Sequence, residues 1–591
     1  MINLFLYPIL VFSLLLFIYL IPGMAIFPKF IQTPRTAAAI PFISLSIIVS
    51  IQYFLSLINQ FNQWNIFICL GILSLIALYR IYKNLSEFNN QWKAIDLKAL
   101  LLIIFSSIPL MIILGFDAFQ HADEIYSWNL WAKKIYLDQV VTFESTLSPY
   151  PLFLPSAIAF CYKFFGNMDY QLPIKFSFSI IYISTVFIIY SFANTKVKVG
   201  LFFISYILVI LAIGIGYEYK KVYADTLMGG FLLTSLALLI SLTKDVVQIN
   251  KNISPISILI ASVILVSAAA LTKQGAFLWT MIFFPLLAFV VIGKNFHLNN
   301  SSRLVLFVPI LTPLLWYFIG GRDFQGNSGV ISRSMGDRSY IEQLFYGFNV
   351  TFINNPLIFI LIIMAFIVLL NKIHLEKLIL LIGISISTIL VFLFGAYETT
   401  RLYLHITLIG WLIIFSYGDF ILLSKFGNKL SKIGNSFITY ILIGTLFIFW
   451  SVSSFNDRLI RVDSVSNLLD GREVQANWVV GDSGAEQYRM IEKSKMGLWA
   501  RDNHVWGIYY GFDNFHRGEL YNSDLDFVID RLITENIGWI YSNNEDWTEI
   551  KRFQDFCPDG LTKIYTSKNL YKQTLYKFSL KNLVSCKKDK K

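Results

Sequence analysis

Ionisable residues are scarce in the first 450 positions, and those that could do chemistry stand at the ends of apolar runs. A carboxylate at such a position could accept a proton from an attacking hydroxyl. A lysine or arginine there could stabilise a phosphate in a site shielded from water. Several ionisable groups gathered at one membrane face indicate a functional site. The candidates are Asp123, Glu124, Asp225, Lys273, Glu398 and Arg401.

Each candidate also has a structural interpretation. Asp225 could cap the helix that follows it. Lys273, which separates two almost contiguous apolar runs, could extend its ammonium group to the membrane interface. Glu398 could pair with Arg401.

The stretch from 116 to 155 is the longest polar interruption in the apolar part of the chain, and it contains Asp123 and Glu124. Ile125, Trp128, Ala132 and Ile135 recur in it at helical spacing, whereas Lys133 and Lys134 are polar. This pattern predicts a helix lying along the membrane surface. An interfacial anchor and a site that presents an acid to a cavity are both compatible with it.

The elements that must position these residues are membrane helices. The 591 residues are 56% hydrophobic and only 14% charged, with a mean hydropathy of +0.61, whereas soluble domains are about 25% charged. Runs of about 17 to 25 apolar residues can span a bilayer. We place about fourteen, near 2–27, 37–58, 64–82, 98–116, 172–193, 200–217, 223–242, 254–272, 275–293, 304–320, 355–371, 377–396, 402–423 and 436–455.

The net charge of +11 is spread over short gaps between these runs and therefore indicates topology rather than a nucleic-acid partner. Every second gap is rich in Lys and Arg, which places those gaps in the cytoplasm. The segments with the candidate residues, the loop at 322–355 and both chain ends then lie outside. Residues 2–27 have no charged n-region, and we expect a retained first helix rather than a signal peptide.

The composition changes after Trp450 to that of a soluble domain. We expect a transmembrane domain over 1–456, with an extracytoplasmic loop at 117–171, and a small α/β domain over 457–591. NWVVGDSG and WIYSNN are typical of strands, and DLDFVIDRLITENIG and Asp546–Phe556 of helices. If this domain is outside the cytoplasm, Cys557 and Cys586 could form a disulfide.

The segments DEIYSWNLWAKKIY and SPYPLFLP, which include Asp123 and Tyr150, resemble the first external loop of bacterial GT-C superfamily glycosyltransferases. YADTLMGG looks like their second acidic motif, ALTKQG like a later lysine turn, and ETTRLYL like a late arginine segment. The chain departs from the pattern at Ser148 and Pro149, where relatives often have His and Asp, and it lacks the glutamate that follows the lysine turn.

The resemblance implies a GT-C fold and an inverting transfer of sugar from a polyprenyl-phosphate carrier to a hydroxyl of a glycan, lipid or protein acceptor. In these motifs the chain is similar to protein O-mannosyltransferases and aminoarabinose transferases, which act on the outer face of the cytoplasmic membrane. Asp123 is then the expected base, with Glu124 as the alternative, and Lys273 and Arg401 are expected to bind the donor phosphate. Asp225, Glu398 and Tyr150 would serve the acceptor or the second acidic motif.

The sequence leaves other functions open. A divalent metal, if one is used, would bind at Asp123 and Asp225. An O-antigen ligase or polymerase would rely on a late loop such as 320–354, with its arginines. A polysaccharide flippase would place ionisable residues near mid-membrane. No phosphate-cradling glycine loop for a nucleotide is present in the sequence.

Overall fold

The structure, a computed structural model, is mainly helical and has one small β-sheet near its C-terminal end. The last apolar helix among the described residues is Leu404–Tyr417, and the sheet lies within 497–578. It describes residues 2–84, 119, 124–141, 150–192, 222–243, 253–295, 304–320, 338–354, 356–371, 373–394, 402–417, 476, 484–500, 515–516, 524–542, 548–566 and 574–589.

The apolar part consists of α-helices with short 3₁₀ and π segments between them. Prolines begin several of these helices, where their missing N–H costs no hydrogen bond. The α-helices are α1 (Ile2–Leu14), α2 (Ile21–Ile26), α3 (Pro34–Ala37), α4 (Ile40–Leu57), α5 (Gln63–Asn84), α6 (Leu130–Asp138), α7 (Phe153–Phe165), α8 (Gln171–Ser177), α9 (Ser179–Phe192), α10 (Ala224–Ile240), α11 (Pro255–Thr272), α12 (Phe284–Asn295), α13 (Val308–Gly320), α14 (Tyr340–Asn354), α15 (Pro356–Leu370), α16 (Leu375–Phe394) and α17 (Leu404–Tyr417).

Seven helical stretches among the described residues are long and apolar enough to cross a membrane. They are Leu6–Ile26, Arg35–Leu57, Gln63–Lys83, Gln171–Ile189, Pro255–Thr272, Gln274–Gly293 and Leu375–Leu393. Helices α14 and α15 would add one more span if they act as one, although they meet at an angle of 104°. These helices fit a multi-pass membrane protein.

The remaining predicted spans either overlap shorter apolar helices among the described residues or lie outside those residues. Those at 223–242, 304–320 and 402–423 correspond to apolar helices of 17 residues or fewer, namely Ala224–Ile240, Val305–Leu315 and Leu404–Tyr417. Those at 98–116, 200–217 and 436–455 lie outside the described residues. The number fourteen therefore stays a prediction. The expected loop at 322–355 is helical from Tyr340 onward, because apolar residues there recur on a helical face.

Helix α10 lies in the centre of the apolar part, and every one of its residues is buried. Two consecutive glycines allow its neighbours to approach. A Cβ on Gly230 would meet the Phe42 ring of α4 at 2.6 Å, and a Cβ on Gly229 would lie 3.2 Å from Leu408 of α17. Small residues permit this close packing of membrane helices. The start of α10 is thereby held between α4 and α17.

The segment predicted as a surface helix is a π-helical turn, Glu124–Asn129, that continues into α6. Ile125, Trp128, Ala132 and Ile135 are buried, as their spacing predicts. Lys133 is buried as well, which contradicts its expected place on a polar face. The reason is that α7 packs against α6 and covers more of it than one apolar stripe.

The C-terminal part has the predicted α/β character. Its sheet has the strand order β2 (Phe515–His516), β1 (Gly497–Ala500), β3 (Ile537–Ser542), β5 (Thr574–Phe578), β4 (Leu561–Thr566). β1 is parallel to both of its neighbours, and β5 is antiparallel to β3 and β4. Its helices are α18 (Gly484–Ser494), α19 (Leu525–Thr534), α20 (Thr548–Phe556) and α21 (Leu580–Asp589).

The sequence predictions for this part are mostly confirmed. WIYSNN overlaps β3, but β3 begins two residues earlier, at Ile537, and the helix predicted to end at Gly538 ends at Thr534. The helix expected from Asp546 begins at Thr548. NWVVGDSG lies outside the described residues except for Gly484, which begins α18. Cys557 and Cys586 form a disulfide that connects the end of α20 to α21.

Candidate active site

Asp225 and Lys273 form an ion pair where α10 begins and α11 ends. Lys273 Nζ lies 2.6 Å from Asp225 Oδ1 and 2.7 Å from Oδ2, so the ammonium group donates to both oxygens. Asp225 is 2% exposed, and the Lys273 side chain is 12% exposed. The two residues are 48 positions apart in sequence and meet because α10 and α11 pack against each other along the chain's core.

The helix dipoles favour the charges of this pair. Asp225 is the second residue of α10, next to the positive end of the helix, and Lys273 follows the last residue of α11, next to a negative end. Lys273 has an extended backbone, which ends α11 and turns its side chain toward α10. Of the two interpretations of Lys273, an interfacial ammonium and a residue of an internal site, this contact favours the second.

His405 in the first turn of α17 is the neighbour of this pair that the sequence analysis missed. A Cβ on Gly229 would lie 3.6 Å from the His405 Cα, and Asp225 is one turn before Gly229 on the same face of α10. His405 is four residues after Arg401 in the sequence, a helical spacing that was the available signal for it.

The His405 ring is buried with one nitrogen unsatisfied. The residue is 6% exposed, and its Nδ1 has no hydrogen-bond partner among the described residues. Buried polar groups are normally hydrogen-bonded, and an exception calls for an explanation such as a binding role.

Tyr150 lies beside Lys273, and two tryptophan rings pack around Tyr150. The Tyr150 ring centroid is 6.0 Å from Lys273 Nζ, within reach of a cation–π contact. It is also 5.7 Å from the Trp128 ring and 6.3 Å from the Trp131 ring. The Trp128 indole Nε1 is buried and has no hydrogen-bond partner among the described residues. The family resemblance indicates Tyr150, whereas the helical spacing of Trp128 predicts only an anchoring role for that ring.

Asn129 adds a further polar side chain beside Trp128. Its Oδ1 accepts a hydrogen bond of 2.5 Å from the Tyr162 hydroxyl of α7, which fixes the amide orientation. Its Nδ2 is buried and has no partner within the described part of the chain. A second unsatisfied donor therefore lies on the same π-helical turn as Trp128.

Glu124 has a different environment from the one expected of a base. Its Oε1 accepts the backbone N–H of Val222 at 2.7 Å, and its Oε2 accepts from Lys175 Nζ at 3.2 Å. Both charged side chains are completely buried. This arrangement favours a structural role for Glu124. Nothing in the sequence singles out Lys175, because a lysine within an apolar run gives no indication of its partner.

Three of the predicted site residues, Asp123, Glu398 and Arg401, lie outside the described residues. Among the residues that the structure does describe, no group of three His, Cys, Asp or Glu side chains could hold a metal ion. Chemically, the described site offers a partly exposed ammonium, a buried carboxylate, a buried imidazole and aromatic walls. Comparison of the chain with models of protein families and with curated proteins finds no match.

Proposed function

We propose that this protein is a membrane glycosyltransferase that moves a sugar from a polyprenyl-phosphate carrier to an acceptor hydroxyl. One observation carries the proposal: residues from three separate motifs, Tyr150, Asp225 and Lys273, meet at the ends of apolar helices, beside His405, which directly follows the ETTRLYL motif. Those motifs, in the same order, are the ones that resemble GT-C enzymes. A lipid-linked donor would approach such a site from the bilayer.

Lys273 would stabilise the departing lipid phosphate. Its ammonium is already fixed by Asp225, so little reorganisation is needed when negative charge develops near it. The surroundings are largely apolar, which strengthens the interaction between a phosphate and the ammonium. The phosphate would share Lys273 with Asp225, and Arg401 would supply the second cation.

Asp123 would accept the proton of the acceptor hydroxyl as it attacks the sugar. Glu124, the alternative, is held by Lys175 and Val222 and is less available for this role. The Tyr150 and Trp128 rings would form the apolar wall that many ligand pockets have. Asp225 would orient Lys273, and a divalent metal at Asp123 and Asp225 is compatible with the carboxylates.

The same proposal includes the topology. The enzyme would lie in the cytoplasmic membrane with about fourteen spans and a GT-C fold, and its site and C-terminal domain would face outward. Two observations support this orientation: the alternation of basic gaps in the sequence, and the Cys557–Cys586 disulfide, since disulfides persist outside the reducing cytoplasm.

The test is transfer by the purified protein from polyprenyl-phosphate hexoses and pentoses to envelope glycan, lipid and protein fractions. Asp123→Asn should abolish transfer without unfolding the protein. Lys273→Ala should weaken donor binding by about 10- to 100-fold, the effect of losing about 1.4 to 2.8 kcal/mol. Lys134→Ala is the matched control, because Lys134 lies on α6 and is partly exposed.

Several outcomes would contradict the proposal. Full activity of Asp123→Asn would remove the proposed base, and unchanged donor affinity in Lys273→Ala would place the phosphate elsewhere. Movement of intact donor across vesicle membranes without consumption would identify a flippase. Transfer of a preassembled polysaccharide, but not of a single sugar, would identify a ligase.

A further inference from the structure

We infer that Glu124 and Ile125 form a joint through which the C-terminal domain positions the acid-bearing loop. Two consecutive side chains of one π-helical turn are anchored in different parts of the molecule. Glu124 is anchored among the apolar helices, and Ile125 is anchored in the C-terminal domain. The joint itself is read from the contacts, whereas its effect on turnover rests on the proposed function.

The Ile125 anchor completes the core of the C-terminal domain. The five-stranded sheet has apolar residues on both faces. On one face, Trp499, Ile540 and Tyr576 pack with residues of α19, α20 and α21. The other face carries the alternate residues of the same strands. They form a separate cluster that contains Ile125 together with Leu498, Trp539, Tyr541, Leu575, Tyr488 and Ile491.

Ile125 is fully buried in that cluster, although it is more than 350 positions before it in sequence. Helix α18 supplies Tyr488 and Ile491 to the same face, so α18 and Ile125 cover it together. Withdrawal of Ile125 would expose apolar surface on the sheet and on the loop, which is unfavourable in water. The contact therefore holds the domain to the loop.

The Glu124 anchor connects the same turn to the candidate active site. Its carboxylate binds Lys175 on α8 and the N–H of Val222, three residues before Asp225. Completely buried charges that are paired resist separation, because an unpaired charge would remain in apolar surroundings. The turn thus has a fixed position relative to the start of α10.

The joint directly adjoins residues of the proposed active site. Asp123 precedes Glu124 in the chain, and Trp128 belongs to the same turn. A shift of the C-terminal domain would therefore be transmitted to the segment that bears the proposed base and to the ring beside Tyr150. In this arrangement the domain acts as a positioning element of the active site.

Hydrogen exchange measured by mass spectrometry on the full-length protein tests the joint without reference to activity. Ile125→Asp should speed exchange in the peptides covering 124–138, while peptides from β3 and from α10 stay protected. Ile125→Ala should give a smaller increase in the same peptides and serves if the aspartate variant does not fold. Ile564→Asp is the matched control, since Ile564 on β4 is 41% exposed. Exchange at 124–138 equal to that of the control would overturn the joint.

Kinetics test the positioning role. If the proposed transfer is confirmed, Ile125→Asp should lower kcat by about 10- to 100-fold through misplacement of the base, with little change in the KM for the donor. Ile125→Leu should restore most of the rate. Altered exchange with an unchanged kcat would overturn positioning. Altered exchange in a protein whose wild type transfers no sugar would leave the joint standing and reject only the proposed function.

Discussion

Two acid–lysine pairs lie among the described apolar helices, Glu124–Lys175 and Asp225–Lys273, and they differ in their surroundings. Glu124 and Lys175 are both completely buried, and Glu124 also binds the backbone of Val222. Asp225 and Lys273 lie at helix ends, where Lys273 keeps part of its side chain exposed beside Tyr150. A ligand could reach the second pair more easily than the first. Identical charge chemistry therefore serves as a structural tie in one place and as a candidate binding site in the other.

The largest effect is expected from breaking the buried Glu124–Lys175 pair. Lys175→Ala should lower the free energy of unfolding by about 3 to 5 kcal/mol, because Glu124 would remain charged and unpaired in apolar surroundings. Unfolding in detergent, followed by circular dichroism, measures this loss. The charge-neutral double variant Glu124→Gln/Lys175→Met should recover most of it. If Lys273→Ala destabilised the protein as much as Lys175→Ala, the distinction between the two pairs would be wrong.

A smaller effect is expected from a change in the Asp225–Lys273 pair. Asp225 competes with an incoming phosphate for Lys273, so Asp225→Asn should increase affinity for free polyprenyl phosphate by about tenfold, or 1.4 kcal/mol. The sign is opposite to that expected of Lys273→Ala. Fluorescence-detected binding of the carrier in detergent measures both. Weaker carrier binding by Asp225→Asn would indicate that the carboxylate holds Lys273 in place for the phosphate more than it competes with it.

The smallest effect concerns His405. His405→Gln removes the buried imidazole but keeps a hydrogen-bonding group of different shape, so we expect a loss of about fivefold in kcat, or about 1 kcal/mol. The double-mutant cycle of His405→Gln with Asp225→Asn should be non-additive, because groups that share one site are energetically coupled. Thr407→Ala, on the same helix, is a control that leaves the charges of Asp225 and Lys273 unchanged. Strict additivity in the cycle would separate His405 from the Asp225–Lys273 pair.

The C-terminal domain was the part most easily predicted. The amphipathic pattern of 524–538 and the short apolar run that follows it correspond to α19 and β3, because local periodicity is sufficient for such elements. The pairing of Cys557 with Cys586 was one of the possibilities that the sequence left open. The contact of Ile125 with this domain could not be predicted, since nothing in a local pattern relates residues so far apart.

The membrane part shows the limit of length as a criterion. Seven helical stretches among the described residues match predicted spans, whereas α10 is shorter than the apolar run that predicted it. Residues 340–354 read as part of a polar loop, yet they form a helix packed against α16. Apolar content identifies membrane segments, but it does not say where a helix ends or bends.

The sequence by itself determined a membrane protein, the positions of most of the described apolar helices, a C-terminal α/β part and the presence of acids and bases at helix ends. Hydropathy and periodicity are local properties and need no knowledge of partners. Only the tertiary structure decided that Lys273 binds Asp225, that Glu124 binds the unexpected Lys175, and that His405 adjoins the first of these pairs. Partners in a helical bundle are chosen by packing between helices distant in sequence, and a side chain's exposure is known only when all its neighbours are in place.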